Sequence, residues 1–243
     1  MVDPIDCLPR LKLQNQTGYR LINSKYPPIH LFDDVADPDE FEALYALQAL
    51  TNPRIQSELG QLNLLARDEI PFGIRGCSYA TAPFTHVNPE GSRFSNGQYG
   101  VLYIADRVET ALKEVAYHQE KYWKQVPELK YERLVFRGLA CAFSGDPVQD
   151  ASLLPPEHPI YHPQDYSQAQ ALGQALKKAG SDGIQYRSVR QPGALCWGLF
   201  TPRHVSSVIQ TAHYEFIWKD SRIQSISQIM LSGLGDTDVS SST

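Results

Sequence analysis

The sequence predicts an α+β domain, a mixed β-sheet core with flanking helices. Short apolar runs bounded by turn residues recur along the chain, at 101–104, 183–186 and 194–200 among others, and have the length of buried strands. Between them, 106–121 and 166–179 carry apolar residues at helical spacing. The composition is that of an ordinary globular protein, 42% hydrophobic and 20% charged over 243 residues. That length suits one large domain or two small ones.

Taken in order, residues 1–17 read as a loose N-terminal arm, and 18–22 as a first strand carrying Arg20. Pro27 and Pro28 make 26–29 a loop. Asp37-Pro38 has the grammar of a helix start, with Asp as N-cap and Pro at the first helical position; Phe41, Leu44 and Leu47 give that helix an apolar face. Asn52-Pro53 restarts a second helix with Ile55, Leu59 and Leu62 on one side. The pair reads as a local hairpin spanning about 37–65. Breakers crowd 65–89, which is expected to be irregular with short strands.

The stretch 88–123 organises the rest. It opens on a turn-rich loop, 88–100, holding Gly91, Gly97, Gly100 and a single cation, Arg93. The strand 101–104 follows, then a helix. Asp106 with Glu109 resembles a capping box. Val108, Ala111, Leu112, Val115 and Ala116 recur on one stripe, and at about 100° per residue Glu114 falls off it, on the face of Thr110, His118 and Lys121. A carboxylate on a solvated helix face is the ordinary reading. The loop before it offers another. Glycines let backbone approach an anion, and a guanidinium matches phosphate oxygens. One fixed cation and one fixed carboxylate suit a phosphate-bearing sugar.

Downstream, 131–142 reads as a strand, and five prolines make 145–165 a long loop. The helix 166–179 is expected to turn Ala169, Leu172, Leu176 and Ala179 inward and to stop at Gly180. The strand 183–186 ends in Arg187-Ser188-Val189-Arg190, and 205–211 with 214–218 suggests a hairpin. The polar tail 232–243 is expected to be disordered.

Several function classes are excluded at this level. A net charge of −5 without a basic stripe argues against direct nucleic-acid binding. No apolar run approaches the ~20 residues that span a bilayer, and the first residues have no secretory apolar core. Cys7, Cys77, Cys141 and Cys196 form no CxxC pair, so no metal is expected and reduced thiols in the cytoplasm are the natural reading. His158 and His162 have no partner at ligand spacing. No GxGxxG follows a strand, which argues against a dehydrogenase.

Arg20 after a tyrosine, GSRFSNGQYGVLYIA with Arg93, ALKEV with Glu114, and YRSVRQPGALCWGLF with Ser188 occur in the order of the RES domain. The resemblance covers about 19–204 and is specific as a combination. It implies a fold similar to ADP-ribosyltransferase toxins, within a single domain over 18–231 that carries the helical insertion. It implies the toxin half of a toxin–antitoxin pair, with an Xre-type helix-turn-helix antitoxin as partner. The implied activity is destruction of NAD+ by hydrolysis or phosphorolysis, with NAD+ as substrate and no cofactor. Protein ADP-ribosylation by some members is the alternative, and a non-catalytic binding module a third reading. A homodimer is compatible with all three.

The resemblance assigns Arg93, Glu114 and Ser188 to catalysis, and Arg20, Arg93, Tyr103 and Ser188 to substrate binding. Arg93 would grip the diphosphate and Arg20 would add a phosphate or ribose contact. Tyr103 would pack on the nicotinamide or bond its ribose. Ser188 would orient Glu114 or the carboxamide. The chain departs from the family where the usual Gly-Gly-Arg-Trp-Asn is Gly-Ser-Arg-Phe-Ser, and in the insertion at 37–65. Transferases of the related fold often carry an acid two positions before the catalytic Glu; Leu112 stands there, which disfavours arginine-directed transfer.

Overall fold

The computed structural model describes residues 8–25, 37, 39–43, 46 and 60–230. Seven strands form one sheet: β1 (Arg10–Asn23), β2 (Leu102–Ala105), β3 (Tyr131–Asp150), β4 (Gly183–Arg187), β5 (Leu195–Leu199), β6 (Val205–Lys219) and β7 (Arg222–Ile229). Helices α1 (Cys77–Thr85), α2 (Val108–Trp123) and α3 (Ser167–Lys178) flank it. The spatial order is β1-β2-β5-β4-β3-β6-β7, and β1 also pairs with β3, so β1, β2, β5, β4 and β3 close into a ring. The β3–β4 pairing is parallel and the others antiparallel, which makes the sheet mixed and the domain α+β, as expected.

Side-chain alternation splits the core across the sheet. On one side Cys77, Ala80 and Phe84 of α1 pack with Leu102, Ile104, Phe143 and Trp197. On the other, Ala111 of α2 and Leu172 and Leu176 of α3 pack with Ala105, Ile184 and Tyr186. The candidate site lies on this second side.

Four expectations are corrected. The arm is not loose over its second half: β1 begins at Arg10 and pairs along β3 from Gln149 to Phe136. Its outer half alternates only between exposed and half-buried residues, so it lacks the apolar signal of a core strand. Likewise β3 runs on through the expected loop to Asp150, because Val148, Gln149 and Asp150 pair in parallel with Gly183, Ile184 and Gln185. Residues 77–85 are a helix despite Pro83, held by burial of Cys77, Ala80 and Phe84. Finally, 205–219 is one continuous strand, and its hairpin partner is β7, where Phe216 faces Ile226.

Asp37 does act as a cap: its Oδ1 accepts the amides of Asp39 and Glu40, both at 2.9 Å. Phe41 in that turn is buried. The expected helix from Asn52 lies outside the described residues for most of its length, as does the tail from 231. Among the described residues no helix is long and apolar enough to cross a membrane.

Candidate active site

A cleft of about 900 Å³ opens between the 88–93 loop, α2, the 164–170 segment and the inner ends of β1 and β2. Glu114 lines it from the middle of α2. The helix is fixed at its far end as well, where Glu120 Oε1 accepts the amide of Ile223 at 2.9 Å. Opposite Glu114, β4 ends and the chain turns back toward β5. Ser188 N donates to Ala194 O at 2.9 Å to close that turn, and Gly193 supplies its left-handed φ of 78°.

The central contact joins these two elements. Ser188 Oγ donates to Glu114 Oε1 at 2.6 Å. The same oxygen accepts the amides of Arg190 at 3.1 Å and Gln191 at 3.0 Å. A hydroxyl has one proton and two lone pairs. All three are engaged, so Ser188, which is only 7% exposed, holds the carboxylate in place. Of the two partners expected for it, Glu114 is the one it contacts here. No protein donor meets Glu114 Oε2 among the described residues.

Arg93 is buried and lines the cleft. Its Nη1 donates to Ile160 O at 2.8 Å and His162 O at 3.1 Å, and its guanidinium lies 4.5 Å over the Tyr166 ring. One edge of the fork is therefore anchored to the 160–166 segment. Its Nε and Nη2 make no hydrogen bond to protein among the described residues. Arg20 also lines the cleft, with Nη1 donating to Tyr103 O at 3.3 Å; burial pushes its pKa down.

Tyr103 lines the cleft as well. Its hydroxyl accepts the Phe94 amide at 2.8 Å and pairs with Ser92 Oγ at 2.8 Å. The hydroxyl thereby pins the loop that carries Arg93. Burial pushes this phenol up to about 12, so the pin is neutral at physiological pH. Gln170 Nε2 adds a bond to Ser92 O at 3.0 Å from α3.

The parts that three residues play at the site were not read from the sequence. Tyr166 stacks on Arg93. Arg190 lies 3.3 Å over the Tyr117 ring and donates to Pro163 O at 2.6 Å, tying the Ser188 turn to α2 and the 160–166 segment. Asp106 was expected to cap α2, but the helix starts at Val108 with Arg107 as N-cap, and the Asp106 carboxylate reaches Thr110 and Leu195 instead. His118, one turn beyond Glu114, lines the cleft as an exposed side chain; partial desolvation there, and then Arg190, Arg93 and Lys121, lower its pKa. His158 and His162 accept nearby backbone amides through Nδ1. Among the described residues no His, Cys, Asp and Glu cluster has metal-binding geometry.

A mixed-sheet α+β domain thus carries an open cleft lined by a hydroxyl-held carboxylate and two guanidiniums. The chain belongs to the RES domain family, whose model matches residues 70–219. Arg93, Glu114 and Ser188 fall inside that segment, while β1 and Arg20 precede it. The chain is 31% identical over 207 residues to the uncharacterized protein y4oC of Sinorhizobium fredii, covering 84% of each. Among solved structures it is similar to the M. tuberculosis MbcT–MbcA toxin–antitoxin complex, with 10% identity, a TM-score of 0.41, and coverage of 83% of this chain and 87% of that one.

Proposed function

We propose that this protein cleaves the nicotinamide–ribose bond of NAD+, by hydrolysis or phosphorolysis, as the toxin half of a toxin–antitoxin pair. The observation that carries the reading is the 2.6 Å bond from Ser188 to Glu114 in a cleft that also presents Arg93 and Arg20. Membership of the RES family supports the toxin role.

In this mechanism Arg93, through its open edge, and Arg20 hold the diphosphate. Nicotinamide leaves with the bonding electron pair as a neutral ring, so its departure needs no general acid. Positive charge then develops on the ribose, and the fixed Glu114 carboxylate stabilises it. Water or phosphate supplies the oxygen that bonds to the anomeric carbon. When water attacks, its proton passes to Glu114 or solvent. Leu112, two residues before Glu114, packs against the core, so no second acid stands there to activate an arginine acceptor.

The test is incubation with NAD+, with and without phosphate, and identification of products. Nicotinamide with ADP-ribose, or with its 1-phosphate, is expected. Intact NAD+ would reject the reading. An Xre-type antitoxin is expected to copurify when co-expressed from a neighbouring gene, and to block the activity.

A further inference from the structure

We propose that Asp106 is a positioning residue that sets the Glu114–Ser188 geometry by tying together the two elements that carry the pair. The inference rests on the reaction proposed above for what the pair does, but its geometry stands independently. Asp106 lies between β2 and α2. Its Oδ1 accepts from Thr110 Oγ1 at 2.8 Å, and its Oδ2 accepts the Leu195 amide at 3.1 Å. Its own amide donates to Leu195 O at 3.0 Å. Thr110 is fully buried and sits one helical turn before Glu114. Leu195 directly follows the Ser188 N–Ala194 O closure. One carboxylate therefore clamps the turn below Glu114 to the strand leaving the Ser188 turn.

Helix capping does not account for this arrangement. The capping position belongs to Arg107, which makes no side-chain cap bond. On its solvent side Asp106 Oδ2 meets only Arg107 Nε at 3.4 Å, from a half-exposed side chain. Both shorter side-chain contacts point inward, to α2 and β5. Loss of the clamp leaves Glu114 and Ser188 present but free to drift, and a displacement of about 1 Å in a reacting constellation can cost about a hundredfold in rate.

The discriminating variant is Asp106→Asn. The amide keeps the shape but removes the charge, so both charge-assisted ties weaken to neutral ones, and the Thr110 bond survives only with its hydroxyl turned round to accept. Turnover of NAD+ should fall about tenfold or more with KM within about twofold. Thr110→Val should reproduce the loss and Thr110→Ser should restore it. Asp106→Asn added to Ser188→Ala should cost no more than Ser188→Ala alone, because both act on one pair. Amide hydrogen exchange supplies a readout that needs no turnover: Asp106→Asn should speed exchange at Leu195, Arg190 and Gln191 together. Fully multiplicative losses, a change confined to KM, or unchanged exchange at Arg190 and Gln191 would each overturn the proposal. A wild type that leaves NAD+ intact would instead remove the parent reaction, and the exchange data would still decide whether the clamp exists.

Discussion

At the scale of single residues, the site depends on a carboxylate whose environment is set by one hydroxyl. Removing that hydroxyl in Ser188→Ala deletes a bond to a charged group, worth about 1.5–3 kcal/mol. It also leaves the amides of Arg190 and Gln191 without their acceptor. If the full value is expressed in the transition state, turnover falls about ten- to hundredfold with KM little changed. Steady-state kinetics checks this, and a loss confined to KM would contradict it. His118 makes a pH prediction. Its folded pKa lies below the ordinary histidine value of about 6.5. As pH falls through that value the unfolded chain takes up a proton before the folded one does, so this part of the stability is present at neutral pH and lost toward acid. His118→Gln should flatten the dependence of melting temperature on pH between about 7 and about 5. An unchanged slope would show that the ring is not held neutral by the cleft.

At the scale of elements, the cleft exists because a loop lies tightly on a helix. Gly173 of α3 faces Phe94, and a Cβ there would stand 2.1 Å from Phe94 O. Gly173→Ala must therefore push away the loop that carries Arg93. Overpacking of this kind costs about 1–3 kcal/mol. The expected result is a lower melting temperature together with weaker NAD+ binding; a lower melting temperature alone would mean that the loop moves without Arg93. Much of this level was legible beforehand. The helical stripe through Ala111 placed Glu114 off the core, and the loop–strand–helix order brought Arg93, Tyr103 and Glu114 to one region. What escaped was set by partners distant in sequence. The outer half of β1 and the end of β3 are strands because they pair, across an apparent arm and a proline-rich loop, with weak local signals. Pro83 hid α1, whose buried face outweighs the missing backbone bond. The carboxylate of Asp106 was read from its neighbours in the chain, whereas Leu195 claims it in space, and the hold of the Tyr103 hydroxyl on the Ser92–Phe94 loop has no local signal.

At the scale of the whole molecule, ring closure carries the function. β1 closes the ring against both β2 and β3 and brings Arg20, far away in sequence, to the cleft wall beside Tyr103. β5 lies between β2 and β4, so the strand leading to α2 and the strand ending at Ser188 are held at a fixed separation. The fold thereby delivers a carboxylate from one element and its hydroxyl from another, with Arg93 and Arg20 on the adjoining walls. An open cleft of this kind that consumed NAD+ without restraint would be lethal to its host, which is why a tight inhibitory partner belongs to the account. The central claim is that the Glu114 charge acts on the developing positive charge of the ribose. The direct measurement compares wild type with Glu114→Gln for NAD+ turnover, NAD+ affinity and melting temperature on the same preparations. The account predicts a fall in turnover of about a hundredfold or more, with affinity and melting temperature nearly unchanged. Normal turnover by Glu114→Gln, or a loss that merely follows a large drop in melting temperature, would contradict it.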